Sequence, residues 1–200
     1  VKAKDMLEKL KEYWKILNEG YLGYLTYAII GIILAYLLNY SLGKILKTEL
    51  PLVVVVSSSM SHYPQMSILC GSIVKDSVKK FEDYWKYCEN TYKDFNITKE
   101  KFLNFPFKNG LDVGDVAVVM GSEKYNVGDI IVYKPQNSKY PIIHRVVEVD
   151  DGFLQTKGDN NLGQLPYEKK VELSQIYGRV ILRIPLIGWP RVLVLRLIGI

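Results

Sequence analysis

The residues of this chain whose types and spacing suit nucleophilic chemistry are a serine cluster, two histidines and an aspartate far downstream. Ser57, Ser58 and Ser59 close the run Leu52-Val53-Val54-Val55-Val56. Such a β-branched run predicts a buried strand leading into a loop. On extended backbone, residues two apart face the same side, so Ser57 and Ser59 should project together while Ser58 points away. A serine hydroxyl is a weak nucleophile until a base takes its proton. The chain offers only His62 and His144 as imidazole bases. His144 lies in an apolar run with Ile142 and Val146 on its own face, which predicts a partly buried ring of fixed orientation. An ordinary imidazole titrates near ~6.5, so it can accept a serine proton and return it to a leaving amine. His62 follows Ser59 by three residues in a loop, and so short a turn rarely sets up a working pair. Asp159 stands between Gly158 and the pair Asn160-Asn161, in a pattern that many plain turns share.

These residues need elements to hold them. The chain has 200 residues, 48% hydrophobic and 24% charged, enough for one packed domain plus an anchor and too ordered in composition for wholesale disorder. A net charge of +5, spread along the sequence, suits an anionic membrane surface. With no zinc-finger spacing and no helix-turn-helix pattern, nucleic acid is not an expected partner. Cys70 and Cys88 lie in one segment; alone they make no metal site, and they are either a disulfide or two buried thiols.

Residues 21–46 carry no charge until Lys44. That is long enough to cross a hydrocarbon core of ~30 Å as a helix, with Tyr21, Tyr24 and Tyr40 suited to the interfaces. Lys2, Lys4, Lys9, Lys11 and Lys15 precede the span, against Lys44 and Lys47 just after it. The positive-inside rule then puts residues 1–20 in the cytoplasm and residues 47–200 outside, a single-pass arrangement in the cell membrane. Met6, Leu10, Tyr13, Trp14 and Leu17 form an apolar stripe at helical spacing, so residues 1–20 are expected to lie on the inner membrane surface or to continue the helix.

Beyond the span the expectation is mainly β: an antiparallel domain over 47–200 interrupted by a small, partly helical insert at 62–110. In the insert, Val78, Phe81, Trp85, Cys88 and Tyr92 recur at helical spacing, and Thr98 can cap a second short helix. Strands are predicted at 116–119, 130–133, 141–149, 153–157 and 177–184, divided by Gly, Asp and Pro turns, with one turn at 135–140. The tail at 184–200 is apolar but broken by Pro185, Pro190, Arg191 and Arg196. It is too interrupted for a second span and is expected at the membrane surface rather than packed on a partner.

Five blocks stand in one order: Ser57-Ser58-Ser59-Met60, Val113-Gly114-Asp115-Val116, a second Gly-Asp block running from Val127 to Tyr133, Ile143-His144-Arg145-Val146-Val147, and a block from Thr156 to Asn161 containing Gly158-Asp159-Asn160. In content and order, and with a span just before the serines, they resemble type I signal peptidases over roughly residues 20–183. His144 in a His-Arg-Val block resembles the archaeal and endoplasmic-reticulum branch, whereas bacterial members carry lysine there. The resemblance implies Ser59 as nucleophile, His144 as general base and Ser57 as an oxyanion-hole residue beside the Ser59 backbone N–H. It implies no metal and no cofactor. Members of this branch commonly carry a further aspartate several residues beyond the Gly-Asp-Asn-Asn block. Here the chain reads Leu162-Gly163-Gln164-Leu165-Pro166-Tyr167, with no carboxylate before Glu168. Asp159 is the expected partner of His144, with Glu168, or no acid at all, as the alternatives.

The resemblance implies a membrane-bound serine endopeptidase that removes signal peptides from pre-proteins through an acyl-enzyme. Its partners would be those pre-proteins, the lipid membrane and accessory subunits. The rival expectation is a non-enzymatic anchored β-domain that scaffolds an export or surface assembly. A self-cleaving repressor-like peptidase fits less well, since the chain has a span and no DNA-binding segment. In the insert, Cys70 and Cys88 enclose a loop whose closure by a disulfide would add ~3 kcal/mol by the chain-entropy account. Asn96-Ile97-Thr98 is a glycosylation sequon.

Overall fold

A computed structural model describes residues 2–136 and 138–199, without the side chains of residues 2, 3 and 10. Position 137 in the expected turn, position 200 in the expected tail and the Leu10 side chain of the expected stripe lie outside the described residues. The chain divides into two units, Val1–Ile45 and Leu46–Ile200.

The first unit is helical: α1 runs Lys2–Asn18 and α2 runs Gly20–Leu46. The two are separate helices because Gly20 takes φ +60°, a left-handed conformation that stops one helix before the next begins. Thr26 ties the junction by donating its hydroxyl to the Leu17 carbonyl at 2.9 Å. At 27 residues α2 is about 40 Å long, more than a hydrocarbon core requires. Among the described residues it is the one helix long and apolar enough to cross a membrane.

The second unit is an antiparallel β-domain. Its strands are β1 (Leu52–Val54), β2 (Ile68–Leu69), β3 (Ser72–Ile73), β4 (Val116–Met120), β5 (Ile130–Tyr133), β6 (Ile142–Asp150), β7 (Phe153–Lys157), β8 (Val171–Glu172) and β9 (Ile176–Ile184). Among the described residues the main sheet has seven strands in the order β1-β4-β9-β5-β6-β7-β8. β1 is therefore an edge strand, and the serines leave from its end. The valine run predicts a longer strand than forms: β1 stops at Val54, although Val55 stays buried and its N–H still donates to the Asp115 carbonyl at 2.9 Å. β6 pairs on both sides, which places His144 opposite Ile131 of β5 and Arg145 opposite Lys157 of β7. A central strand held this way fixes the orientation of the His144 ring.

The insert is closed at its neck by a bridge between Ser61 and Gly110. It holds the β2-β3 hairpin, α3 (Phe81–Cys88), a 3-10 turn (Glu89–Phe95) and α4 (Lys99–Leu103). The Thr98 hydroxyl accepts the Lys101 N–H and so caps α4. Tyr84, Trp85, Tyr92 and Phe102 are buried together as an aromatic core. Cys70 and Cys88 are joined as a disulfide across it. The tail folds into α5 (Trp189–Leu197), started by Pro190 in its first turn. Val192 is buried, while Leu186, Ile187, Leu193, Val194 and Leu197 are exposed.

Candidate active site

The valine strand and the central strand deliver the two predicted groups to one place. Ser59 Oγ lies 3.0 Å from His144 Nε2, although 85 residues separate them. His144 is buried and Ser59 half-buried, so the hydroxyl faces accessible space while the ring is fixed. Ser57 Oγ is 3.2 Å from Ser59 Oγ, so the two hydroxyls project together, but they do so on a bend and turn beyond the end of β1 and not on the extended strand the valine run predicts. Among the described residues the Ser59 backbone N–H has no protein acceptor, leaving it available to a substrate oxygen beside the Ser57 hydroxyl.

The carboxylate on the far side of the imidazole is Glu168, not Asp159. Glu168 Oε1 lies 2.5 Å from His144 Nδ1 and both side chains are buried. The contact is an ion-pair distance without hydrogen-bond alignment, and neither atom has another polar partner among the described residues. The 3-10 turn Pro166–Glu168 brings the acid there, with Glu168 Oε2 accepting the Leu165 N–H at 2.5 Å. With a carboxylate at Nδ1, the ring proton belongs on that nitrogen and Nε2 is left to accept the serine proton.

Asp159 is occupied elsewhere, which corrects the expectation that it partners His144. Arg145 grips it bidentately, Nε to Oδ1 at 2.9 Å and Nη2 to Oδ2 at 2.7 Å. Tyr92 donates to Oδ1 at 3.0 Å, and His62 Nε2 lies 2.9 Å from Oδ2. A carboxylate has about four lone-pair sites, so this one is saturated. The physical reason is Arg145: it is fully buried, its other N–H groups go to the Pro106, Gly128 and Phe107 carbonyls, and its charge needs a buried anion. Burial pushes the Asp159 carboxyl up, but the Arg145 charge and the His62 and Arg145 hydrogen bonds outweigh it and hold it well below the usual carboxylate range. Burial pushes the His62 imidazole down against the opposing pull of Asp159, so this ring is neutral near neutrality.

The loop carrying Asp159 still shapes the site. The Asn160 N–H donates to the Ser59 carbonyl at 2.8 Å and the Asn160 side-chain amide donates to the Ser58 carbonyl at 3.3 Å. Asn160 Oδ1 accepts the Cys70 N–H at 3.0 Å, linking this loop to the insert. At Gly158 a side chain would not fit, since a Cβ there would sit 2.9 Å from His144 Nε2. Lys157, just before it, is fully buried; its ammonium donates to the Gly158 carbonyl at 3.0 Å and lies over the Tyr92 ring. Burial lowers its pKa to about 8 against the opposing pull of Asp159 and Glu168.

Sequence reasoning thus finds the hydroxyl and the imidazole, leaves Glu168 as one of three options for the acid, and assigns His62 nothing. The constellation can move one proton from Ser59 to His144 while a buried anion faces the imidazolium that results.

No family profile matches the chain. It is 36% identical over 105 residues to the signal peptidase complex catalytic subunit SEC11 of Ogataea parapolymorpha, covering 40% of this chain and 58% of that one. It is 36% identical over 88 residues to the subunit of the same name from Saccharomyces cerevisiae, covering 38% of this chain and 53% of that one. The chain spans little more than half the length of the curated relatives it matches. Over the matched part the chain is similar to the catalytic subunits of signal peptidase complexes, and its antiparallel β-domain with an N-terminal apolar helix is consistent with a domain of signal-peptidase type.

Proposed function

Starting from this kinship with signal-peptidase catalytic subunits, we propose that the chain is a membrane-bound serine endopeptidase that removes signal peptides from pre-proteins. The observation that carries the proposal is the 3.0 Å contact between Ser59 Oγ and His144 Nε2, made by residues of two motif blocks distant in sequence.

His144 takes the Ser59 proton as Oγ attacks the carbonyl of the scissile bond. The new oxyanion receives the Ser59 N–H and the Ser57 hydroxyl, a donor of this kind being worth about 3 kcal/mol. Glu168, not Asp159, holds His144 and faces the imidazolium. The imidazolium then protonates the leaving amine, which departs as the new N-terminus of the mature protein. Water, deprotonated by the same imidazole, hydrolyses the ester that remains on Ser59. The substrate segment is an apolar targeting peptide with small residues before the cut.

The helix Gly20–Leu46 is the anchor. Lysine bias puts residues 1–20 in the cytoplasm and the β-domain outside. The disulfide between Cys70 and Cys88 supports that side independently, since such bonds persist in oxidising compartments. Confining enzyme and substrate to one membrane raises their effective concentration. The exposed apolar side chains around α5 suit contact with lipid, and the relatives' standing as subunits of a complex supports accessory subunits. The Met60-Ser61-His62 continuation of the serine motif and the insert resemble an archaeal variant of the branch.

The test is cleavage of a purified pre-protein by the full chain in detergent or liposomes, with the product N-terminus read by mass spectrometry. Wild type should release one mature product and Ser59→Ala none. Cleavage by Ser59→Ala at the wild-type rate would overturn the proposal.

A further inference from the structure

The second histidine is buried, neutral and unused by the reaction above, yet it sits in the nucleophile's own loop. Two consecutive residues hold that loop from outside. Asn160 takes the carbonyls of Ser58 and Ser59. Asp159 takes the loop three residues further on, with Oδ2 lying 2.9 Å from His62 Nε2. Asp159 is ionised in the grip of Arg145, so His62 Nε2 must be the donor and carries the ring proton. The His62 ring lies flat on Tyr84, at 3.6 Å between centroids and 1° between planes, and the Tyr84 hydroxyl donates to the Asp159 carbonyl at 2.9 Å. On its other side the ring meets Gly110, at φ +72°, where a Cβ would sit 2.7 Å from His62 Cδ2 and 2.2 Å from the Met60 carbonyl oxygen. Tyr84 and Gly110 therefore confine the ring, and the residue joined to Asp159 on its other side, Gly158, runs so close to His144 that an added Cβ would sit 2.9 Å from Nε2.

We propose that His62 is a positioning residue for the nucleophile: its Nε2–H ties the Ser59 loop to the same short segment that abuts the catalytic base, setting the distance between the Ser59 hydroxyl and His144. This deepens the proteolytic reading and rests on it. Its energetic logic is that reacting atoms misplaced by about 1 Å can cost on the order of 100-fold in rate. A loop free to shift by that much still binds substrate, so the effect falls on kcat rather than KM.

The experiment compares His62→Leu, His62→Asn and His62→Gln in the full chain, by kcat and KM for pre-protein cleavage, each well below its own melting temperature. Leucine removes the donor. Glutamine carries an amide N–H about as far out as Nε2 and restores it, whereas the asparagine amide stops short. The expected result is a kcat 30-fold to 100-fold down for His62→Leu with KM within twofold, His62→Asn similarly impaired, and His62→Gln within about threefold of wild type. If His62→Leu does not fold, the contrast between asparagine and glutamine decides on its own. Wild-type kcat in folded His62→Leu or His62→Asn would overturn the proposal, as would a glutamine variant no better than asparagine. Either leaves the proteolytic reading standing. A wild-type chain that cleaves nothing would overturn that reading and this proposal with it.

Discussion

Replacing Glu168 with glutamine should slow cleavage far more than it loosens the fold. Glu168 Oε1 and His144 Nδ1 lie 2.5 Å apart with both side chains buried. At an effective dielectric of about 20, a unit charge pair at that distance attracts by about 7 kcal/mol. The ring is neutral before proton transfer and cationic at the tetrahedral stage, so most of that attraction appears only on the way to the transition state. Part of it returns as the glutamine dipole and neighbouring groups reorient. A net loss of about 3 to 5 kcal/mol corresponds to a kcat lower by roughly 10² to 10⁴. KM should barely move, because the substrate does not need the carboxylate to bind. The assay is single-turnover cleavage of a pre-protein, paired with a melting curve. Asp159→Asn gives the contrast, since it leaves Arg145 buried without its anion, at a cost of about 3 to 5 kcal/mol in stability. That lowers Tm by about 6 to 20 °C. The reasoning is refuted if Glu168→Gln cleaves within threefold of wild type, or if Asp159→Asn melts normally and alone loses the chemistry.

Two further outcomes concern stability. Lys157 has a folded-state pKa lowered by burial to about 8, so between there and the ordinary lysine value near ~10.4 the unfolded chain binds the extra proton. Stability from this group therefore rises with pH across that window, and below it the full cost of a buried ammonium, about 3 kcal/mol, is present. Lys157→Met should raise Tm at pH 7, with its advantage over wild type shrinking by pH 10; a constant difference across that range would contradict the assignment. Removing the disulfide with Cys70→Ser and Cys88→Ser together opens a loop whose ends are 18 residues apart, a loss of about 3 kcal/mol. That should appear as a Tm lower by about 6 to 12 °C, and an unchanged melt would show that the aromatic core alone holds the insert.

What was legible in the sequence follows the regularity of the elements. His144 is legible because β6, bounded by clear turns, forms close to where its apolar run predicts, whereas Ser57 and Ser59 come together on a bend past the end of β1 rather than by alternation along it. The orienting acid is not legible. Whether Asp159 or Glu168 reaches His144 depends on the path of residues 160–168, which ends in a 3-10 turn with no strong local signature. Arg145 was the available clue: a buried guanidinium beside the base claims a carboxylate of its own, and the better-placed one is Asp159. Sequence alone gives no role to His62, because so short a turn rarely lets a histidine oppose Ser59 as its base. The same turn serves well for reaching Asp159, a partner 97 residues away that no local pattern announces. The β2-β3 hairpin and β8, of two residues each, are too short for periodicity to reveal. α5 was obscured by Pro190, which reads as a breaker in an apolar run but is well suited to the first turn of a helix.

The most direct measurement of whether Ser59 and His144 act as one unit is a double-mutant cycle on cleavage, using Ser59→Ala, His144→Ala and the two combined. A hydroxyl and an imidazole 3.0 Å apart that share one proton predict that each single variant loses most of the rate and the double loses little more. Losses that multiply, with the double variant falling as far below each single as each single falls below wild type, would contradict the account.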